Sequence, residues 1–411
     1  MKFALVNVYY KHGSTGKGIK RNYDRLKSYG HEVKVFYGAQ KQDDGNSDAV
    51  FIGNRYFNYF HMLCSKYLGL DGLLSNISTT KLLRHLKRYQ PDVVWLSGLH
   101  GYYVNWYRLI KFLKKNDIRT VYGMVDEFAF LGKCCSSFDC EKYKTGCHHC
   151  PYLKHYPQSF IFDNSKLIFN LKKKAYRGWD KVVFRSAPYV VNKAKGSYLL
   201  KDKQFAETDS SVDITNIYHP RNSEKLRQEL GIPENKKVAL LCARSTDAHK
   251  GAQYIEECAR LCEHEDIVFV QVAFNGNKET LPSNFIPISY VSSPELLAEY
   301  YSMADVYVCT SVSDAQPNAC LEAMGCGTPI VGFNISGVPY VAPKEFGTFI
   351  EPFDVQKMAE AIRNLPRKTE ASIKACHEYA KQRFSVEATN GVHAAFVAEI
   401  CQKVMDDKKG Q

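Results

Sequence analysis

No apolar run in this chain of 411 residues reaches the roughly 18–20 positions needed to cross a bilayer, which argues against a helical membrane span. Acidic charge is also in short supply. Asp and Glu total 43 against 55 Lys and Arg, a net charge of +12. That balance points to an anionic partner such as a nucleotide diphosphate, a lipid diphosphate or an acidic membrane face. No recognisable nucleic-acid-binding motif accompanies the basic charge, so no nucleic-acid partner is expected. The glycine-bearing stretch Tyr9–Gly18 is neither G-x-x-x-x-G-K-[ST] nor a clean G-x-G-x-x-G, which excludes an NTPase or dinucleotide reading on motif grounds. A solenoid-type repeat is missing. The segment Met1–Tyr10 is too short and too β-like for a signal peptide and reads as a first buried strand. A soluble, cytoplasmic protein is the expectation.

What is present is a folded composition, 24% charged and 45% hydrophobic. The length is large for one core and suggests two domains of roughly 150–200 residues. Apolar strand-like runs alternate with amphipathic helical stretches throughout. In the first half Leu5–Tyr10, Glu32–Tyr37, Val93–Leu96, Thr120–Met124 and Val182–Arg185 read as strands, and Lys81–Arg88 and Tyr107–Lys115 as helices. In the second half the strands are Lys237–Cys242, Val268–Ala273, Val306–Thr310 and Ile330–Phe333. The helices there are Gln253–Cys262, Pro294–Met303, Asn318–Gly325, Lys357–Leu365 and Glu370–Arg383. This alternation predicts an α/β fold of parallel sheets with right-handed crossovers, arranged as two Rossmann-like halves with a cleft between them. A β-like run, Asp213–Tyr218, leads into His219-Pro220-Arg221-Asn222-Ser223, the best candidate for an interdomain joint. The expected division is 1–218, 219–385 and a C-terminal helix or tail 386–411 that packs back towards the N-terminal domain, with the Lys-rich end Lys403–Gln411 frayed.

Fourteen cysteines are many for a compartment where disulfides rarely persist. Nine are scattered singly and read as small buried hydrophobes. Five crowd into 132–151, where Cys134, Cys140, Cys147 and Cys150 form C-x5-C-x6-C-x2-C. Four thiolates at this spacing can close a tetrahedral zinc site, the preferred reading, and free thiols or an iron–sulfur centre also fit. Four thiolate ligands would leave no open position for catalysis.

Three further segments carry ligand chemistry. Ser313–Val331 holds Asp314 and Glu322, eight positions apart around Pro317-Asn318, with a helix between them and an apolar strand after. Carboxylates accept from sugar and ribose hydroxyls, and the N-terminus of the helix offers free N–H groups to phosphate. Leu240–Gly251 places Arg244 and Lys250 six apart across a loop, where both could neutralise a diphosphate. Leu99-His100-Gly101-Tyr102-Tyr103 follows the strand Val93–Leu96, at the end of the strand where α/β sites form.

Together these blocks resemble retaining glycosyltransferases of family 4, which have the GT-B fold of two Rossmann-like domains facing each other across a cleft. The Asp314/Glu322 pair resembles the acidic-x7-acidic motif of that family, and Arg244 with Lys250-Gly251 its Arg-x5-Lys-Gly phosphate clamp. His100–Tyr103 resembles the His-Gly-Tyr-Tyr segment of polysaccharide-type members. The Cys-rich segment 132–151 is similar to an insertion in a subset of them. The resemblance implies a hexose-type sugar moved from a UDP- or GDP-sugar to a lipid-linked or growing surface glycan, in exopolysaccharide biosynthesis. It implies Arg244, Lys250, Asp314 and His100 as catalytic residues. Donor binding would fall to Gly13, Ser14, Thr15, Gly16, Arg244, Lys250, Pro317, Asn318 and Glu322, and the metal to Cys134, Cys140, Cys147 and Cys150. Peripheral attachment to the inner face of the plasma membrane is an expectation as well; the basic run Lys172-Lys173-Lys174 could rest against it, and a solvated helix face explains such a run more commonly. Two positions depart from the pattern. Val125, before Asp126, stands where the family carries a His, and the first acid is Asp314 rather than Glu. They leave two alternatives, a non-catalytic nucleotide-sugar or glycan binder and a GT-B nucleotide-sugar epimerase.

Overall fold

The computed structural model describes residues 1–41, 45–247 and 250–410, with Ser14 described by its backbone alone. The chain forms two compact units: residues 1–186, 190–208 and 393–411 in the first, 187–189 and 209–392 in the second.

The first unit is a seven-stranded, wholly parallel sheet in the order β3-β2-β1-β4-β5-β6-β7. Its strands are β1 (Lys2–Asn7), β2 (Glu32–Tyr37), β3 (Ala49–Phe51), β4 (Val93–Ser97), β5 (Arg119–Gly123), β6 (Val182–Ser186) and β7 (Gln204–Glu207). The helices are α1 (Gly13–Ser28), α2 (Arg55–Leu68), α3 (Asn76–Tyr89), α4 (Trp106–Lys115), α5 (Ser165–Tyr176) and α6 (Pro188–Lys195). Parallel strands are covered on both faces, which is why β1 and β4 read as almost unbroken apolar runs.

The second unit is a six-stranded parallel sheet in the order β10-β9-β8-β11-β12-β13. Its strands are β8 (Lys237–Cys242), β9 (Ile267–Val272), β10 (Phe285–Ile288), β11 (Val306–Cys309), β12 (Ile330–Phe333) and β13 (Gly347–Ile350). The helices are α7 (Glu224–Glu229), α8 (Ala252–Leu261), α9 (Pro294–Met303), α10 (Asn318–Gly325), α11 (Val355–Asn364) and α12 (Glu370–Phe384), and α13 (Val386–Lys409) closes the chain. Successive residues of β8 alternate between two core clusters: Val238 and Leu240 on one side, Ala239 and Leu241 on the other. That is the period of two expected of a strand buried on both faces.

Four expectations are corrected. Asp213–Tyr218 is a turn rather than a strand, because Asp213 accepts from the backbone N–H and side-chain amide of Asn216 (both 3.0 Å) and folds the chain back on itself. Division into units falls between Thr208 and Asp209, ahead of the Pro220 joint. The C-terminal segment is helical through Lys409: Val404 is buried in the first unit's core, Asp407 pairs with Arg119 (2.7 Å) and Lys408 with Asp92 (2.6 Å). Helix α1 begins at Gly13, so the expected glycine loop is largely the first turn of a helix.

Candidate functional site

Each sheet reverses its strand order once, between β1 and β4 in the first unit and between β8 and β11 in the second. Loops leaving the carboxyl ends of adjacent strands diverge at such a point and leave a crevice. The motif residues lie at these places. Gly13–Gly16 follow β1 and His100 follows β4; Arg244 and Lys250 follow β8, and Asp314 follows β11.

In the second unit Lys250 Nζ lies 2.7 Å from Asp314 Oδ2. Burial pulls the Lys250 ammonium down, but the Asp314 charge and hydrogen bond outweigh it, and its pKa ends above the ordinary lysine value. Two glycines hold this pair in register. Gly251 sits at φ +64°, where a Cβ would meet the Thr310 carbonyl oxygen at 2.3 Å, so the Lys250 loop can press against the end of β11. Thr310 Oγ1 donates to the Lys250 carbonyl (2.8 Å). Gly337 donates its N–H to the Asp314 carbonyl (2.8 Å), in a contact so close that a Cβ would fall 1.8 Å from the Ala315 oxygen.

Pro317 precedes α10 and Asn318 is its exposed first residue. One turn on, Glu322 accepts from the Tyr301 hydroxyl on α9 (2.9 Å). Burial raises the Glu322 pKa, and the Tyr301 bond only partly offsets that. Gln316 bridges back to Asp209 (2.6 Å), which Arg383 also holds (2.9 Å). Arg244 is exposed and pairs with no described acid; Ala248 and His249 beside the clamp lie outside the described residues.

In the first unit the N-terminus of α1 carries no acidic residue in its first turn. Asn7 at the end of β1 donates to the carbonyls of Tyr9 (2.7 Å) and Thr15 (3.3 Å), fixing the approach to the helix. Gly16 is closely fitted there: a Cβ would come within 3.2 Å of the Lys11 nitrogen. The Ser14 side chain lies outside the described atoms. His100 Nε2 is 2.7 Å from Asp126 Oδ2, and its Nδ1 is 3.1 Å from the Tyr156 hydroxyl. The ring also packs edge-on to Phe128 and Tyr156. Burial opposes the imidazolium, yet the Asp126 charge raises the His100 pKa; burial likewise opposes the Asp126 carboxylate, and His100 holds it below the usual range. Val125 lines the same small pocket as His100 and Asp126, with Gly98 and Met124. Tyr156 and Tyr301 carry no motif that would have marked them, and Asp126 entered the sequence reading only as the neighbour of Val125, not as a partner of His100.

Cys134, Cys140, Cys147 and Cys150 line one cavity, together with Lys142 and Tyr143. Cys134 Sγ is 3.4 Å from Cys150 Sγ, and the Gly132 N–H donates to Cys147 Sγ at 3.2 Å. Cys135, which competed with Cys134 as first ligand by sequence, is elsewhere: it lies with His100 and Asp126, their potential ligand atoms within 4.8 Å of one another. The four thiols of the cavity would suit a soft metal as a donor set, with an N–H already aimed at one sulfur. No three of their sulfurs approach as closely as the His100 cluster among the described residues. Lys172 is not available to an external surface. It is buried, and its ammonium donates to the carbonyls of Phe128, Leu131 (2.9 Å) and Gly132 (3.3 Å), which corrects the expectation for Lys172; Lys173 and Lys174 are exposed.

Residues 222–383, within the second unit, match the family model "Glycosyl transferases group 1". The chain is 22% identical over 66% of its length to a putative colanic acid biosynthesis glycosyl transferase of Escherichia coli, covering 66% of it. It is 25% identical over 39% of its length to a putative teichuronic acid biosynthesis glycosyltransferase of Bacillus subtilis, covering 42% of that protein. The chain thus spans from about two fifths to just under two thirds of these relatives. Among solved structures, Anabaena HepE in complex with UDP superposes with a TM-score of 0.63 at 16% identity, over 97% of this chain and 100% of that one. A sucrose-phosphate synthase from Thermosynechococcus elongatus superposes at 0.62 and 15%, over 98% and 99%. Both show the fold: two Rossmann-like α/β domains of the GT-B glycosyltransferase type.

Proposed function

We propose that this chain, whose residues 222–383 match the group 1 glycosyl transferases, is a retaining glycosyltransferase that moves a hexose-type sugar from a nucleotide-diphosphate donor to a surface-glycan acceptor. The observation that carries the reading is the Lys250–Asp314 pair, held at the strand-order reversal of the second sheet with Glu322 one helix turn beyond. A partly exposed pair of this kind is worth only about 0–1 kcal/mol, so a diphosphate can displace Asp314 from Lys250 at little cost. Arg244, exposed and unengaged by any described acid, would take up the second phosphate.

The roles follow from the charges. Lys250 and Arg244 stabilise the leaving diphosphate, which gains negative charge as the glycosidic bond breaks. Asp314, released from Lys250, accepts from the donor sugar. Glu322, with Pro317 and Asn318 at the start of α10, accepts from the ribose, whose two hydroxyls reward a carboxylate already short of donors. In the first unit, Asp126 and Tyr156 orient His100, and the α1 N-terminus at Gly13–Gly16 offers free N–H groups to an anion. With attack and departure on one face of the sugar, the donor phosphate takes the acceptor's proton and no carboxylate nucleophile is required. A UDP-sugar is the favoured donor, supported by Anabaena HepE, solved with UDP and with UDP-glucose. The relatives named for colanic and teichuronic acid biosynthesis support a polysaccharide acceptor. A soft metal held by Cys134, Cys140, Cys147 and Cys150 would brace the insertion and take no part in transfer.

The test is thermal stability against nucleoside diphosphates and their sugars. Ligand at a hundred times its dissociation constant adds about 2.7 kcal/mol, a readily visible shift. The reading expects a shift with one nucleotide class that Glu322→Ala removes. A shift that survives Glu322→Ala would move the ribose site elsewhere, and no shift with any nucleotide would favour the glycan-binding alternative.

A further inference from the structure

Helix α5 carries charge of one sign. Residues 164–179 contain Lys166, Lys172, Lys173, Lys174 and Arg177 and not a single Asp or Glu. Lys172 is turned into the core, but Lys166 and Lys173 are exposed, and neither pairs with an acid among the described residues. Seven positions, two helical turns, separate them, so both lie on one face, roughly 10 Å apart along the axis. Asn170, four residues after Lys166 and also exposed, falls between them on the same stripe.

This stripe lines a groove of about 440 Å³, within the size range of ligand sites. The rest of the lining comes from Thr145 to His148 of the Cys-rich insertion and from Tyr198. Each stretch is anchored. The Gly146 N–H donates to the Lys142 carbonyl (2.7 Å), the Tyr198 N–H to the Tyr143 carbonyl (3.0 Å), and the Gly132 N–H to Cys147 Sγ (3.2 Å). Phe169, which is buried, packs against the Tyr198 ring at 6.1 Å.

No carboxylate lines the groove. The acids that flank it in the chain are engaged elsewhere: Glu141 with Lys144 (2.5 Å), and Asp163 with the backbone N–H groups of Cys150 (2.7 Å) and Ser165 (2.9 Å). Lys173 donates instead to the Tyr198 hydroxyl (2.7 Å) and lies over its ring (4.7 Å), exposed contacts that an anion can replace at little cost. Uncompensated positive charge in a concave site selects an anion.

The spacing narrows the class. One phosphate cannot reach both ammoniums, whereas a chain with repeated charges can. Between the charges, the Asn170 amide and the hydroxyls of Thr145 and Tyr198 suit groups that both donate and accept, as sugar hydroxyls do. A bilayer needs exposed apolar side chains to insert, and a nucleic-acid strand needs open rings to stack on. Here Phe169 is buried and the Tyr198 ring lies beneath Lys173.

We propose that this groove binds an anionic oligosaccharide, its carboxylate or phosphate groups on Lys166 and Lys173 and its hydroxyls on Thr145, Asn170 and Tyr198. The groove belongs wholly to the first unit and does not rest on the glycosyltransferase reading.

The test is calorimetric titration of the full chain with a galacturonate hexamer, with phosphorylated dextran and with unmodified dextran, alongside Lys166→Gln/Lys173→Gln. A second double variant, Lys87→Gln/Lys344→Gln, makes the same change in net charge at exposed positions outside the groove. Circular dichroism checks that both are folded. The expectation is binding of one or both anionic glycans that weakens with salt, no binding of unmodified dextran, and a loss of about tenfold or more in the groove variant alone. Binding of the galacturonate only would assign carboxylates, and of the phosphorylated dextran only, phosphates. Lys250→Ala, altered in the second unit, should bind as the wild type does. Failure of both anionic glycans to bind would overturn the proposal, as would undiminished binding by the groove variant, equal weakening in the two double variants, or loss in Lys250→Ala. Full competition by inorganic phosphate would contradict a site that spans two cations. Tighter binding of oligothymidylate, lost in the groove variant, would reassign the groove to nucleic acid.

Discussion

At the scale of single residues, the two ion pairs differ in what they can do. Lys250 and Asp314 are partly exposed and exchangeable, whereas His100 and Asp126 are packed among aromatic rings. Each of the latter pair keeps the other charged against burial. The sign of the pH dependence follows. The His100 contribution to stability is complete below the ordinary histidine value and is lost as pH rises through its raised pKa. The Asp126 contribution is complete above the ordinary aspartate value and is lost as pH falls through its lowered pKa. Asp126→Asn removes the attraction and leaves the burial, so the His100 titration, followed by NMR, should move to lower pH. An unchanged or higher value would show that Asp126 does not orient the ring. None of this was legible from sequence, because the pairing depends on two strand ends that are 26 positions apart and meet only through the β4–β5 register.

At the scale of elements, central strands were easier to read than edges. β2, β8 and β12, and helices α9 and α10, lie where the hydrophobic pattern puts them. The strands that escaped are β3, β7, β10 and β13, the four edges of the two sheets. They are three or four residues long and mostly half-buried, so they carry neither a continuous apolar run nor a clear alternation. Helix α2 escaped because its aromatics follow no buried stripe. Glycines at element ends carry a sharper message. Gly337→Ala would drive a Cβ into the Ala315 carbonyl, which is backbone and cannot swing aside. The expected cost is about 1–3 kcal/mol, read as a lower thermal midpoint, with weaker donor binding because the Asp314 loop must move. A variant with unchanged stability and affinity would show the loop to be free of this contact. The cysteine cavity is testable at the same scale. If a soft metal braces it, Cys147→Ser should lose metal by elemental analysis and lower the thermal midpoint; wild-type protein purified without metal and indifferent to chelators would favour free thiols.

At the scale of the molecule, the first unit depends on the end of the chain. Phe396, Val397, Ile400 and Val404 of α13 are buried against Phe3, Val33, Trp95 and their neighbours. Four such side chains contribute ~1.5–3 kcal/mol each, comparable in sum with the whole net stability of a domain. Removing residues 393–411 should therefore leave the protein aggregated or with a first unit that unfolds well below the second. A truncated chain that melts like the full one would contradict the packing. The alternation of strands and helices announced both sheets, and 386–411 read as a helix or tail packing back towards the N-terminal domain; which of its residues are buried was not legible, since its contacts are long-range and its polar faces give no strong periodicity.

The central claim is tested most directly by the release of nucleoside diphosphate from a sugar donor in the presence of a glycan acceptor, comparing the wild-type chain with Lys250→Ala. Losing one charge-stabilising group costs ~3–4 kcal/mol of barrier, so the folded variant should turn over at under about a hundredth of the wild-type rate. Wild-type turnover in Lys250→Ala would contradict the account, as would a donor that binds to the native chain without ever being consumed.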